Sequence, residues 1–496
     1  MSSLRDRVVS SILISSAADW VVKLLGVVSM VVLARLLTPG DYGLAIAATT
    51  VVGFIKALTS VGQDQYLIQK TDLEPTDLST AWSARLLLAL LASLLLFFGR
   101  QAIADYFSAP GLVEVLGVLA WVPVIDALRS IGLVVARREL DFKPNAKTDI
   151  AAKMVAVVVT LATALAWRNY WALVAGEMAS ALTFVALSHV TAPYRVRPTL
   201  RHYSAQWRFV RWLYVQGLAN LVREKIDSLL VARYLGVVGA GHYLMSLRLA
   251  DLAINNLLQP ASAGLYSGFA KLKEDPPALA SAFLRALSVY LLLVAPIWVA
   301  MTLLATPLIR IVLGEQWLAI APVMPIVVTM YTFMLLAGLG GNVLLVLGRV
   351  RYTVLANSLS VAVFICVMLY FAESLSLGQF AAVRALTVLL ALSMLFYPLS
   401  NALGVGVLAL FRHVWRSLAA GGVAYGVLLA LGEWPWYAGL DALPKLLFGG
   451  LALCASYALP HWLLRRDAQG WSCEYAFVRD VAWPLLRKLS RRLRPA

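Results

Sequence analysis

Residues 209–236, FVRWLYVQGLANLVREKIDSLLVARYLG, are long and apolar enough to cross a bilayer as one helix. The middle of this stretch nevertheless holds a cluster of ionisable residues, Arg223, Glu224, Lys225 and Asp227. An ionisable residue near the centre of a bilayer costs roughly 2.5–3.5 kcal/mol on insertion scales. We therefore expect this helix to carry function and not only to anchor the chain.

The composition of the whole chain is that of a membrane protein. Of its 496 residues, 61% are hydrophobic and 14% are charged, whereas a soluble domain carries about 25% charged residues. A net charge of +16 would suggest nucleic-acid binding in a soluble protein, but here the cations fall mostly in alternate loops between apolar runs. Such alternation orients membrane helices, and we predict no nucleic-acid partner.

Apolar runs of about twenty residues predict an all-α polytopic membrane protein with about fourteen transmembrane helices. Arginine and lysine concentrate in the loops that follow even-numbered spans, so we predict that both termini are cytoplasmic. The predicted spans are 11–35, 41–62, 79–99, 111–136, 147–167, 170–191, 209–233, 242–264, 281–305, 317–347, 352–372, 378–400, 413–432 and 443–464.

An internal repeat divides the chain. LARLLTPGDYG at 33–43 aligns without a gap to VARYLGVVGAG at 231–241, and each segment ends the first helix of a six-helix block. Because six is even, the two blocks have the same orientation. Taken singly, the arginines are expected to anchor helix ends and the glycines to turn the chain. The identical pairs are Ala34 and Ala232, Arg35 and Arg233, Leu37 and Leu235, and Gly43 and Gly241.

The predicted domains follow from this repeat. They are two pseudo-symmetric six-helix lobes (1–200 and 201–402), two extra C-terminal helices (403–464) and a basic, amphipathic cytoplasmic tail (465–496).

Polar residues form stripes along the first two helices of each lobe when they are placed at helical periodicity. Pseudo-symmetry would bring these stripes together as a polar, cationic cavity between the lobes. The candidate residues are the cations Lys23, Lys56, Arg223 and Arg248, the acids Asp19, Asp227 and Asp251, and the amides Gln216, Asn220, Asn255 and Gln259.

A competing interpretation is that these charges only pair and hold helices together. Arg223 and Asp227 have the four-residue spacing of an intrahelical ion pair, as do Asp19 and Lys23. Lys56 has no obvious acidic partner on its own helix, and surplus positive charge suits a phosphate or diphosphate. On the fourth span, Asp126 and Arg129 are expected to pair with each other. The roles of the other buried charges, among them Arg85 and Glu177, stay open.

Several function classes lack their motifs. The chain has no P-loop and no GxSxG motif, and its five histidines are scattered without metal-ligand spacing. We therefore predict a transporter and not an enzyme, with no catalytic residues, no metal and no cofactor.

Six segments of the chain stand out in this order: ARLLTPGDYG at 34–43, YLIQK at 66–70, RRELDF at 137–142, LVARYLG at 230–236, FAKLKED at 269–275 and LGEQW at 313–317. Similar segments occur in the same order in bacterial polysaccharide exporters. The chain resembles the Wzx-type flippases of the polysaccharide transporter family, in the multidrug, oligosaccharidyl-lipid and polysaccharide exporter superfamily. Its nearest likeness is to the colanic acid and succinoglycan exporter group.

This resemblance implies a flippase that moves an undecaprenyl-pyrophosphate-linked oligosaccharide repeat unit, of exopolysaccharide or O-antigen, across the bacterial inner membrane by alternating access. It implies that cavity cations contact the pyrophosphate, which falls here on Lys23, Lys56, Arg223 and Arg248. The acids Asp19, Asp227 and Asp251 would balance them or carry a coupling proton, and a proton or sodium gradient would supply the drive. Membrane lipids and the polymerase and chain-length or export proteins of the same pathway are the implied partners.

Two other classes stay open. One is another cargo on the same scaffold, either a peptidoglycan precursor or, in a drug/cation antiporter, a cation; an antiporter would need surplus acids in its cavity. The other is a membrane polymerase or ligase of the same pathway, which would transfer glycosyl groups.

Overall fold

The computed structural model describes residues 4–60, 62–463, 466–467 and 470–471. Within the helices, the side chains of residues 4–19, 58, 60, 219, 220, 255–257, 259–261, 263, 372 and 407 are outside this description. The described chain is almost wholly helical, which confirms the predicted all-α class.

The helices follow one another with short connections. In chain order they are α1 (Leu4–Leu36), α2 (Pro39–Ser60), α3 (Gln63–Gln69), α4 (Pro75–Tyr106), α5 (Gly111–Leu119), α6 (Val122–Ala127), α7 (Gly132–Arg138), α8 (Lys143–Trp167), α9 (Trp171–Thr191), α10 (Tyr203–Tyr234), α11 (Gly236–Lys271), α12 (Pro276–Leu303), α13 (Ala305–Val312), α14 (Met324–Val346), α15 (Val350–Phe371), α16 (Leu377–Leu403), α17 (Val407–Glu433), α18 (Pro435–Ala438) and α19 (Ala442–Leu463), with 3-10 helices at Glu315–Val323 and Ala372–Ser374.

Local sequence explains several helix ends. Pro75 opens α4 in its first turn, where a missing N–H is not needed, and the Asp77 carboxylate accepts a hydrogen bond from the Glu74 N–H at 3.0 Å. At the start of α16, Ser376 and Gln379 form a reciprocal cap, in which each side chain accepts a hydrogen bond from the backbone N–H of the other. Gly404, in the left-handed conformation, caps the other end of this helix.

The chain is a multi-pass membrane protein. Within the described residues, nine helices are long and apolar enough to span a membrane, or ten if the bent pair Gly111–Ala127 and Gly132–Arg138 is one span. A total of fourteen spans remains a prediction.

The fourth predicted span, 111–136, is not one straight helix. It is broken into α5, α6 and α7, with a bend of 52° between Gly111–Ala127 and Gly132–Arg138. Other helices bind the polar groups of the break: the Ser130 N–H donates to Ser188 Oγ at 2.9 Å, and His189 Nε2 lies 2.9 Å from the Leu128 carbonyl. A break inside a membrane is tolerated where neighbours satisfy the freed groups in this way.

Packing divides the chain into two compact units, residues 1–244 and 245–496. In the first unit, α10 packs against α2, α3 and α4, so this helix clusters with the N-terminal residues. The predicted boundary between lobes, at residues 200–201, precedes α10 and remains a prediction.

In the second unit, the two extra helices pack on α12. A core cluster joins α12, α17 and α19 through Leu292, Ala424 and Leu453, and the Tyr457 hydroxyl donates to the Leu292 carbonyl at 2.9 Å. After α19, two short strands, Arg466–Asp467 and Gly470–Trp471, pair antiparallel. The predicted amphipathic tail, 465–496, otherwise lies outside the described residues.

Candidate functional site

Lys56 is a predicted cavity cation whose ion pair the structure identifies. Its Nζ lies 3.9 Å from Oε1 of Glu177, and the two side chains are 33% and 40% exposed. The pair joins α2 to α9, so the acid lies on another helix. At this distance it is an ion pair without a strong hydrogen bond, and both groups keep exposed surface for a ligand.

Lys23 lies in a different setting on α1. Its side chain is half-buried, and its Nζ is 5.7 Å from the centre of the Trp20 ring. That separation allows a cation–π interaction. The paired candidate Asp19 lies outside the described side chains.

The candidates on α10 differ in burial. Asp227 is 8% exposed, whereas Arg223 and Gln216 are exposed. The side chain of Asn220 lies outside the described ones. The ionisable cluster in residues 209–236 therefore combines a buried carboxylate, Asp227, with an exposed arginine, Arg223, one turn earlier.

The remaining candidates belong to the second unit. On α11, Arg248 is exposed and Asp251 is half-buried; the side chains of Asn255 and Gln259 lie outside the described ones. The convergence of all the stripes on one cavity remains a prediction.

A second charged group, which we name the arginine cluster, consists of Arg85, Arg129 and Arg137 around Asp64. Arg137 Nη2 lies 2.7 Å from Asp64 Oδ2, Arg129 Nη2 lies 3.4 Å from the same oxygen, and Arg85 Nη1 lies 3.9 Å from Oδ1. The expected pair of Arg129 with Asp126 is replaced by this contact. Because α6 ends at Ala127, Arg129 lies in the break beyond the helix that carries Asp126.

The arginine cluster joins two of the six family-like segments. α3 carries the first four residues of YLIQK, and α7 ends with the two arginines that begin RRELDF. Arg138 fixes the two segments together, because its guanidinium donates to the carbonyls of Leu67 at 2.6 Å and Thr71 at 2.9 Å. Both segments are apparent in the sequence, which does not show that they lie side by side.

Asp64 is held ionised by its neighbours. Burial alone would raise the pKa of this carboxyl, but the charges of Arg129, Arg85 and Arg137, with the hydrogen bond from Arg137, bring the pKa below the ordinary value of 3.8. A carboxyl whose folded-state pKa is lowered stabilises the fold above its ordinary value. This contribution is present above pH 3.8 and is lost as the pH falls through the lowered pKa.

Asp77 organises the start of α4. Its fully buried carboxylate lies 2.6 Å from Lys70 Nζ and 2.9 Å from His202 Nδ1, and its carbonyl accepts from Gln206 Nε2 at 2.8 Å. The hydrogen bond to Asp77 raises the pKa of Lys70. The segment before α10 is thereby fixed to α4.

The same carboxylate is part of a set that resembles metal ligands. Glu74, Asp77 and His202 each offer a ligand atom, and these atoms lie within 4.8 Å of one another. The Lys70 ammonium already neutralises the Asp77 carboxylate, so this set forms an ion-pair network in preference to a cation site.

We expect Asp77→Ala to lower the free energy of unfolding by about 1–3 kcal/mol, because it removes a buried acceptor from several donors. The measurement is thermal unfolding of the detergent-purified protein. Asp72→Ala, which removes an exposed carboxylate from the same loop, is the control and is expected to leave the midpoint unchanged. Equal midpoints for the two variants would contradict a stabilising role for Asp77.

The two glycines of the repeat contact each other. A Cβ added at Gly43 would overlap the Val237 carbonyl oxygen and lie 2.9 Å from the Gly241 N, and a Cβ added at Gly241 would overlap the Pro39 carbonyl oxygen. Pro39 and Val237 are themselves equivalent positions of the repeat. The contact is therefore locally two-fold symmetric, and its glycines lie inside α2 and α11, where they permit close approach and do not turn the chain.

An apolar cavity of about 350 Å³ lies between α2, α4 and α10. At one edge, the Arg233 guanidinium carbon is 5.1 Å from the centre of the Tyr106 ring. The cavity offers apolar contact and no polar lining surface. Its lining residues are Val51, Phe54, Ile55, Ala102, Ile103, Tyr106, Phe107 and Leu229.

The fold is that of membrane transporters with the same helical architecture. The structure of the lipid II flippase MurJ in an inward closed conformation aligns with a TM-score of 0.70, covering 95% of this chain and 100% of that one at 14% identity. An inward-facing multidrug resistance MATE family transporter of the MOP superfamily aligns with a TM-score of 0.55, covering 78% of this chain and 96% of that one, also at 14% identity.

The family follows from the sequence match. Residues 32–322 match the family described as "Polysaccharide biosynthesis protein". This match covers more than half of the chain, which therefore belongs to that family. The predicted resemblance to polysaccharide exporters is confirmed.

Curated relatives agree with this membership. The chain is 25% identical over 301 residues to the succinoglycan biosynthesis transport protein ExoT of Rhizobium meliloti (60% of each chain). It is 24% identical over 327 residues to the lipopolysaccharide biosynthesis protein WzxC of Escherichia coli (65% of this chain and 66% of that one). The alignments span less than two thirds of each of these relatives.

Proposed function

We propose that this protein is a flippase that moves a lipid-linked oligosaccharide, the undecaprenyl-diphosphate-linked repeat unit of an exopolysaccharide or O-antigen, between the leaflets of the bacterial cytoplasmic membrane. Membership of the polysaccharide biosynthesis family and the transport function in the name of ExoT support this proposal. Both termini would face the cytoplasm, as the distribution of loop cations predicts.

The half-exposed Lys56–Glu177 pair is the observation that carries the proposal at the level of residues. Glu177 would neutralise Lys56 while the site is empty, and the diphosphate would take the place of the carboxylate on substrate entry. The isoprenoid would stay in the bilayer, because hydrocarbon gains nothing by entering a polar cavity. Lys23, Arg223 and Arg248 would supply the remaining positive charge.

During transport, the cation site would open first to one face of the membrane and then to the other. Alternating access moves the diphosphate without breaking a covalent bond, so the chain needs no nucleophile and no general base. A proton or sodium gradient would supply the drive, with Glu177 added to Asp19, Asp227 and Asp251 as candidate carboxylates. The polymerase and chain-length proteins of the pathway would receive the flipped unit.

A leaflet-specific assay tests the function directly. Vesicles carrying a lipid-linked oligosaccharide are prepared with and without the protein, and an impermeant oxidant labels sugars in the outer leaflet. We expect the labelled fraction to rise only with the protein, while mass spectrometry finds the lipid chemically unchanged. A new glycosyl linkage would instead identify a polymerase or ligase, and equal labelling in both preparations would overturn the proposal.

A further inference from the structure

We propose that the arginine cluster is a second binding site, for a phosphate group borne by a lipid at the inner surface of the membrane. The identity of that lipid rests on the proposed function, whereas the site itself rests on the geometry of Arg85, Arg129, Arg137 and Asp64. None of the candidate cavity residues belongs to this cluster.

The charge of the cluster is unbalanced. Asp64 is the single carboxylate within 4.0 Å of the three guanidinium groups among the described residues. Asp126 is close enough to interact electrostatically with Arg85. Three arginines and two aspartates leave a surplus of one positive charge, which favours an anionic ligand.

Donor groups of the cluster are also unused. Arg85 is 2% exposed, yet its Nε and Nη1 donate no hydrogen bond to any residue that the structure describes, and the same holds for Arg137 Nε. A buried N–H without an acceptor is costly. Phosphate oxygens are the acceptors that match the planar, forked geometry of guanidinium groups.

The site is reachable and held in position. The side chains of Arg129 and Arg137 are 20% and 30% exposed above the buried Arg85. Arg85 Nη2 donates to the Arg129 carbonyl at 3.3 Å, which ties α4 to the break between α6 and α7. The break in the fourth span therefore places Arg129 where a continuous helix would not.

Exposed apolar side chains next to the cluster favour a lipid over a soluble anion. Ile68, one turn after Asp64 on α3, is 40% exposed, and Leu128, which precedes Arg129 at the break, is 38% exposed. Both lie on the segments that carry the charged residues. A phosphate held at such a boundary between cationic and apolar surface keeps its lipid tail in hydrocarbon.

Native mass spectrometry of the full chain tests this site with three probes: farnesyl diphosphate, inorganic pyrophosphate and phosphatidylglycerol. We expect Arg129→Gln/Arg137→Gln to raise the dissociation constant of the tightest lipid probe by at least about tenfold, since two charge-assisted hydrogen bonds are lost. The control is Arg195→Gln/Arg197→Gln, which removes the same charge from exposed linker positions and should leave the constant unchanged. Equal constants for the two double variants would overturn the site.

The probes also distinguish the source of the phosphate. Tighter binding of farnesyl diphosphate identifies the ligand as an isoprenoid diphosphate. Tighter binding of phosphatidylglycerol identifies it as a bulk anionic lipid. Binding of pyrophosphate as tight as either lipid would overturn the lipid assignment. If the double variant does not fold, Asp64→Asn keeps all three arginines and is expected to bind the lipid probe more tightly than wild type; weaker or unchanged binding contradicts the proposal.

Failure of this site and failure of the proposed function give different results. If the protein binds the probe but leaves the lipid-linked oligosaccharide in its original leaflet, the site is supported and the proposed function is wrong. If the protein moves the oligosaccharide normally but Arg129→Gln/Arg137→Gln leaves all probe dissociation constants unchanged, the proposed function is supported and the site is wrong.

Discussion

Replacing Gly43 by alanine is expected to remove most of the folded protein from the membrane. The added Cβ would overlap the Val237 carbonyl oxygen, and backbone cannot rotate away as a side chain can. α2 and the start of α11 would have to separate, which we expect to lower the free energy of unfolding by about 3 kcal/mol or more. The measurement is the amount of monodisperse protein extracted from membranes, with thermal unfolding of whatever remains.

The chain offers a matched control for this substitution. Gly53 lies on the same helix, and a Cβ added there meets nothing within 4 Å, so Gly53→Ala should leave the yield unchanged. Gly241→Ala should reproduce the loss from the other side of the contact. Because either alanine already separates the helices, the double variant should cost less than the sum of the single ones. Full additivity would show that the two glycines do not share one contact.

The repeat illustrates what could be predicted from sequence. Four identities aligned residues 33–43 with residues 231–241 and gave the correct equivalence of Gly43 and Gly241. The role of the glycines was wrong, because a glycine that turns a chain and a glycine that admits a neighbouring backbone look alike in a single sequence. Which of the two applies depends on a helix nearly two hundred residues away.

The broken span shows the same limit. Apolar composition predicts a span over 111–136, and the bent pair Gly111–Ala127 and Gly132–Arg138 is together long and apolar enough to form one, since length and hydropathy are local properties. The backbone groups of the break at residues 128–131 are bound by Arg85, Ser188 and His189, which lie on α4 and α9. Because these partners lie outside the span, no pattern within it identifies them.

The candidate site shows the limit again. The sequence offers no obvious acidic partner for Lys56 on its own helix, and the structure shows an ion pair with Glu177 on α9, an acid whose role the sequence left open. Arg129 was paired with the nearest acid in sequence and in fact contacts Asp64, which is 65 residues away. Spacing predicts intrahelical pairs well and gives no information on pairs between helices.

Replacing Lys56 by glutamine is expected to abolish export of surface polymer while the protein stays in the membrane. In the proposed mechanism Lys56 binds the diphosphate, so its ammonium cannot be replaced by a neutral side chain of similar length. We expect a loss of at least about tenfold, because a charge-assisted contact to phosphate contributes about 1.5–3 kcal/mol. The measurement is surface polymer in a strain that lacks its own flippase, normalised to the protein detected in membranes.

The double variant Lys56→Gln/Glu177→Gln separates a substrate contact from a structural ion pair. If the pair only holds α2 to α9, removing both charges removes the pair as a whole, and export should return. If Lys56 binds substrate, the double variant stays inactive, while Glu177→Gln alone, which retains the ammonium, keeps substrate binding. Since the pair is 3.9 Å apart and both side chains keep exposed surface, it holds the helices together only weakly, and we expect the double variant to remain inactive.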